Sequence, residues 1–247
     1  MRRTALGAAV AGAVVPVLLG CQSTQDRSAA LAARAQGAVR ETKVTVGVTN
    51  RTATVTRTTL LRDANGVAVV VEVRNRGAAQ VDVPVALSVR GRGGKVLFRN
   101  DAGGLDPSLV AIPALDAGGR HAWVNDQLQA SPQDARTATA RLGTARGRAP
   151  RELPRIAVSD VRIGGDSSGV VVRGTLANLS PVPQKRIVVH CVARKGGRIV
   201  AAGRAVLDTL AAAGHGRPAP FSVYVIGDPR GADLTLWAPP TTLGGAS

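Results

Sequence analysis

The sequence predicts an all-β protein built as two β-sandwich domains in tandem, and three observations carry that expectation. Hydrophobic residues make up 45% of the 247-residue chain but aromatics only 2%, so the cores must be filled by Val, Leu, Ile and Ala, and β-branched Val favours strands. Short alternating apolar runs are separated by Asn-Gly, Ser-Gly and Gly-Gly pairs, the punctuation of antiparallel hairpins. The chain also repeats itself: residues 66–97 overlay residues 169–200 at a constant offset of 103 with no gap.

Within the overlay Gly66 meets Gly169, Val69 meets Val172, Asn75 meets Asn178, Val85 meets Val188, Val89 meets Val192, and Gly93-Gly94 meets Gly196-Gly197. In the first copy Asn65-Gly66 leads into Val67, Val69, Val71 and Val73 at every second position, the pattern of a half-buried strand. Residues 83–89 alternate in the same way before the Gly93-Gly94 turn. The copies part at an insertion around residues 101–108 and rejoin where Leu115 and Trp123 parallel Leu210 and Phe221. Residues 146–154, rich in Arg, Pro and Gly, read as a linker. The expected domains are residues 51–147 and 148–247.

Residues 1–20 have the parts of a secretory leader: Arg2 and Arg3, an uncharged apolar stretch, then small residues. The stretch is short for a membrane-spanning helix, which needs about 20 apolar residues. Leu18-Leu19-Gly20-Cys21 resembles the lipobox of bacterial lipoproteins. That resemblance implies cleavage before Cys21, lipid on its sulfur, and a protein held on the outer face of the cell membrane. Residues 21–50 are then a lipidated tether, with a short helix over residues 29–39 as an alternative to plain Ala-rich linker.

With Cys21 acylated, Cys191 is left without a disulfide partner. Alternation puts it on one face with Ile187, Val189 and Ala193, as a buried, inert thiol.

Val172-Arg173-Gly174-Thr175-Leu176-Ala177-Asn178 is similar to the strand and turn of FxLYD-type and related immunoglobulin-like domains of bacterial lipoproteins, as is the step from Leu210 to Phe221. The aromatic pair that names the family is replaced by Leu87-Ser88-Val89 and His190-Cys191-Val192. The resemblance implies tandem immunoglobulin-like sandwiches and transfers no catalytic residue.

The formal charge is +16, falling to +14 without Arg2 and Arg3, and nearly all of it is Arg. Such a charge suits anionic surfaces, although an Ala-, Gly- and Arg-rich composition produces it without selection for binding. One basic feature repeats: Arg90, Arg92 and Lys95 around the first Gly-Gly turn, and Arg194, Lys195 and Arg198 around the second. These six residues are candidate contacts for an anionic polymer or lipid headgroup. Nucleic acid is not expected, because five aromatics give little surface for base stacking.

No chemistry is legible. His121, His190 and His215 are scattered, with His121 and His215 read as turn residues, and no metal-ligand spacing occurs. The acids Asp106, Asp116, Asp126 and Asp134 fall in expected loops, and no nucleophile elbow or phosphate loop is present. The expectation is a protein without cofactor, metal or catalytic residues. It would act as an envelope interaction module or spacer with a protein partner, the alternative being the anionic contacts above and, remotely, a hydrolase.

Overall fold

The computed structural model describes residues 46–101 and 104–244, so Cys21, the leader and the tether helix lie outside the described residues. The described residues belong to one compact unit. It is all-β, with every named strand pairing antiparallel. No helix among the described residues is long and apolar enough to cross a membrane.

In the first half, β1 (Ala53–Asp63), β2 (Gly66–Asn75) and β6 (Arg120–Asn125) form one sheet in the order β1-β2-β6. Facing it, β3 (Gln80–Arg90) pairs on one side with β7 (Thr137–Leu142) and on the other with β4 (Val96–Arg99) and β5 (Ala111–Leu115) in succession. The two sheets enclose one core. Val67, Val69, Val71, Val73 and Trp123 come from the first, and Val83, Val85, Leu87 and Ile112 from the second.

The second half repeats the plan. β8 (Ile156–Asp166), β9 (Gly169–Asn178) and β12 (Ala219–Tyr224) make one sheet. The other contains β10 (Gln184–Lys195) between β14 (Asp233–Trp237) and β11 (Arg198–Leu210), with the short β13 (Ile226–Gly227) on its edge. No ladder joins the two sets of strands.

Identical residues of the copies perform identical local tasks. Asp63 and Asp166 each close a two-residue hairpin by accepting the backbone N–H two residues on, of Asn65 and Ser168. Asn75 and Asn178 accept from Gly77 and Ser180 in the same way, forming Asx turns where the chain crosses between sheets. Trp123 and Phe221 sit opposite Val71 and Gly174, equivalent positions. In the second Gly-Gly turn both Gly196 (φ 56°) and Gly197 (φ 74°) are left-handed, as a two-residue hairpin of this type requires.

The constant offset fails in the strand between these turns. Gln80 pairs with Leu115 as Gln184 pairs with Leu210, and Asp82 (φ 50°) and Arg186 (φ 50°) occupy the same bulge, an offset of 104. The core-facing residues Val83, Val85, Leu87 and Val89 therefore correspond to Ile187, Val189, Cys191 and Ala193. Val188 and Val192, the expected partners of Val85 and Val89, point out of the second core. A one-residue slip moves a whole strand to the other face. The extra residue lies in the turn before β10, and the hairpin after β10 is one residue shorter than its counterpart, which restores the offset. Cys191 faces the core with Ile187 and Val189, as alternation predicts.

β2 differs from the half-buried strand expected, because Ala68 and Val70 on its outer face are buried as well. The outer face of β1-β2-β6 packs on the outer face of β10 and β11, where Val70, Ala122 and Val124 meet Val192 and Ala202, with Leu61 and Ile199 at the margin. The second half has no such patch to offer onward. Arg173 and Ser222 occupy the positions of Val70 and Val124, and Arg173 pairs with Asp166 at the surface. Two copies can stack, and polar substitution ends the series there.

Candidate functional site

Polar contacts frame the apolar patch between the halves. His190, from β10, accepts the N–H of Val124 through Nδ1 at 3.1 Å. β6 is an edge strand, so the imidazole caps a backbone donor that no neighbouring strand pairs. Gly227 N–H donates to Asp63 at 2.8 Å, and Arg194 donates to Glu72 at 2.8 Å.

The insertion that separates β4 from β5 takes part in the same junction. Asn100 is buried where β4 ends, with its side chain bonded to Val85, Leu87 and Leu109 backbone. Beyond it, Ser108 accepts from both Trp123 Nε1 at its carbonyl and Arg204 at its hydroxyl (2.6 Å), and Asp106 pairs with Arg186. Arg204, with a side chain only 2% exposed, lies 3.6 Å from the Asp126 carboxylate, which also accepts the Arg204 backbone N–H at 2.8 Å. Burial raises the Asp126 carboxyl above its ordinary range and lowers the Arg204 guanidinium. Asp126 is thus an interface ion rather than the solvated loop acid expected, because the second half covers it. Asp134 lies in an exposed turn as expected.

At the margin of this junction opens a cleft of about 380 Å³. Its cations are Arg74 and Arg76 at the end of β2, Arg120 at the start of β6, and Arg194 from β10; its one acid is Glu72. His121, His190 and Trp237 line its floor. The Trp237 ring stacks on His121 with centroids 4.3 Å apart and on His190 at 5.5 Å. Burial, with the Arg204 charge nearby, pushes the His190 pKa down to about 3. The ring is neutral, and its proton must sit on Nε2 because Nδ1 accepts. That buried Nε2 has no hydrogen-bond partner among the described residues.

His121 Nε2 lies 3.2 Å from Asp116, whose carboxyl the histidine holds below its ordinary range. His121 belongs to strand β6, not to the turn expected from its Gly-rich neighbourhood; His215 does lie in an exposed turn. The scattered histidines thus include two that meet one tryptophan. Only the tertiary fold brings them together, since the three come from strands of both halves.

The six basic residues expected at the hairpin tips divide. Arg90, Arg92 and Lys95 are exposed, with Arg90 donating to the Gly94 carbonyl of its own turn. Lys195 and Arg198 are exposed as well. Arg194 is half-buried and engaged by Glu72 and Thr235, so its guanidinium belongs to the interface. Cys191 is buried, and desolvation pushes its thiol up to about 12, far from the thiolate needed for reactivity. Among the described residues no cluster of three or more His, Cys, Asp or Glu side chains could hold a metal ion. What the cleft offers is guanidinium, indole and imidazole N–H, a set suited to recognition of an anion.

No protein-family model matches the chain, and no curated protein matches it either.

Proposed function

We propose that the protein is a non-catalytic envelope lipoprotein: tandem immunoglobulin-like sandwiches, tethered to the outer face of the cell membrane by lipid on Cys21, that act as a stiff spacer and interaction module. The observation that carries the reading is the bonded junction between the halves. A spacer needs its parts to hold a fixed relation. Here an apolar patch of Val70, Ala122, Val124, Val192 and Ala202 is framed by Glu72–Arg194, Asp126–Arg204 and Asp63–Gly227. Interfaces of this kind, packed on an apolar patch and crossed by ion pairs, resist the relative motion expected of loosely linked domains. The lipobox-like Leu18-Leu19-Gly20-Cys21 supports the anchor, and residues 22–45 are long enough to lift the sandwiches clear of headgroups.

The test is in-cell crosslinking from native membranes, comparing the wild type with Cys21→Ser and with the junction variant Val192→Asp. The reading expects a discrete crosslinked product that both variants lose, Cys21→Ser through displacement and Val192→Asp through loss of the fixed geometry. An undiminished product from Cys21→Ser would show that position at the membrane is not part of the function.

A further inference from the structure

We propose that the cleft between the sandwiches binds a phosphate-ester anion, with the oxyanion held by Arg74 and Arg120 and the attached body lying against Trp237. The fold retains a repulsion at the cleft. Arg74 and Arg120 are directly opposed across the β2–β6 ladder, an arrangement of like charges that destabilises a sheet. Neither side chain has an ion pair or a hydrogen bond to another described residue, nor does that of Arg76 beside them. The nearby Glu72 is committed to Arg194 and Asp116 to His121. Each guanidinium presents a planar fork of N–H donors that matches phosphate oxygens.

The cleft wall also holds a buried donor without an acceptor among the described residues. His190 is 1% exposed, lines the cleft, and keeps its proton on Nε2 with no partner among the described residues. Buried polar groups are nearly always satisfied, so an unpaired donor on a residue that lines a cavity points to something that enters it. Nor do these cations belong to the repeated plan. The second half has Ala177 and Leu179 where the first has Arg74 and Arg76. The hairpin-tip cations, by contrast, recur in both copies. The cleft's volume of about 380 Å³ accommodates a small phosphorylated molecule or a lipid headgroup.

The experiment uses the full chain carrying Cys21→Ser, so that acylation does not govern vesicle binding. Calorimetric titration with inorganic phosphate and with glucose 1-phosphate is paired with sedimentation on phosphatidylcholine vesicles with and without phosphatidylglycerol. Saturable binding of glucose 1-phosphate, or of phosphatidylglycerol vesicles over phosphatidylcholine ones, is expected, weakened about tenfold or more by Arg74→Gln/Arg120→Gln. Binding is unchanged by Arg90→Gln/Arg92→Gln/Lys95→Gln/Arg198→Gln. The same cleft variant should melt no lower than its parent, because a like-charge pair has been relieved. Loss confined to vesicles identifies a lipid headgroup; loss confined to the sugar phosphate identifies a soluble or polymeric ester. If none of these probes binds at millimolar concentration, or if the cleft variant binds undiminished, the proposal is overturned. The anchoring role stands or falls separately, since every arm of this experiment uses a chain without lipid on residue 21.

Discussion

His190 of the second sandwich accepts the backbone N–H of Val124 in the first at 3.1 Å, so one side chain both caps a strand edge and ties the two halves together. The bond requires a neutral ring, and its pKa of about 3 in place of 6.5 makes the tie sensitive to acid. As pH falls through about 6.5 the unfolded chain takes up a proton at this residue, and the folded protein does not until about 3. Stability is therefore highest above about 6.5 and declines toward about 3, by up to about 1.4 kcal/mol per pH unit from this group. Asp126 works in the opposite sense, because its raised pKa favours the folded state as it protonates. The comparison is therefore made with His190→Gln, whose amide oxygen can accept the same N–H without titrating. Urea denaturation at about pH 7 and about pH 5 should show a loss of stability for the wild type and a distinctly smaller one for the variant.

Val192→Asp should open the junction. Val192 and its neighbour Val70 are fully buried between the halves, and an unpaired carboxylate there costs several kcal/mol unless the surfaces part. Each half keeps its own core, so the expected outcome is separation about residues 148–155 with the strands intact. Small-angle scattering should show a larger radius of gyration and a broader distribution of distances, with an unchanged β-sheet circular dichroism spectrum.

Arg204 and Asp126 form the buried ion pair of the junction. Arg204→Met strands the Asp126 carboxylate and is expected to cost about 3–5 kcal/mol. Arg204→Met/Asp126→Leu should recover most of that loss, since removing both charges also removes their desolvation. A double-mutant cycle by urea denaturation measures the coupling directly.

Gly203 faces Cys191 across β10 and β11 and passes close to the chain turning out of β12. A Cβ at Gly203 would lie 2.0 Å from the Tyr224 carbonyl oxygen, a backbone atom with no freedom to withdraw. Gly203→Ala should cost about 3 kcal/mol. Cys191 supplies the readout, because a buried thiol with a pKa of about 12 reacts with maleimide only when the second core opens. In chains carrying Cys21→Ser, the labelling rate should rise sharply with Gly203→Ala.

The hairpins, the alternation of β3 and the orientation of Cys191 were legible, because each depends on residues a few positions apart, whereas the alternation read in β2 misses that its outer face is covered too. The repeat was legible, but its register through β10 was not. Residues 187–193 are apolar at every position except His190, so either face of that strand looks like a core face and a match of Val to Val is cheap. The junction left a trace in the unbroken apolar run of residues 67–71, which signals a strand covered on both sides. Nothing local says what covers it. His121, His190 and Trp237 are separated by tens of residues and meet only because β6 and β10 are brought face to face.

Fractionation of cells expressing the wild type and Cys21→Ser tests the central claim, a rigid pair of sandwiches held at the membrane by lipid, most directly. The wild type should stay with membranes through a high-salt wash, which strips proteins bound by their +14 charge alone, and leave only with detergent. Cys21→Ser should appear in the soluble or salt-released fraction. A Cys21→Ser chain that remained in salt-washed membranes as fully as the wild type would contradict the account.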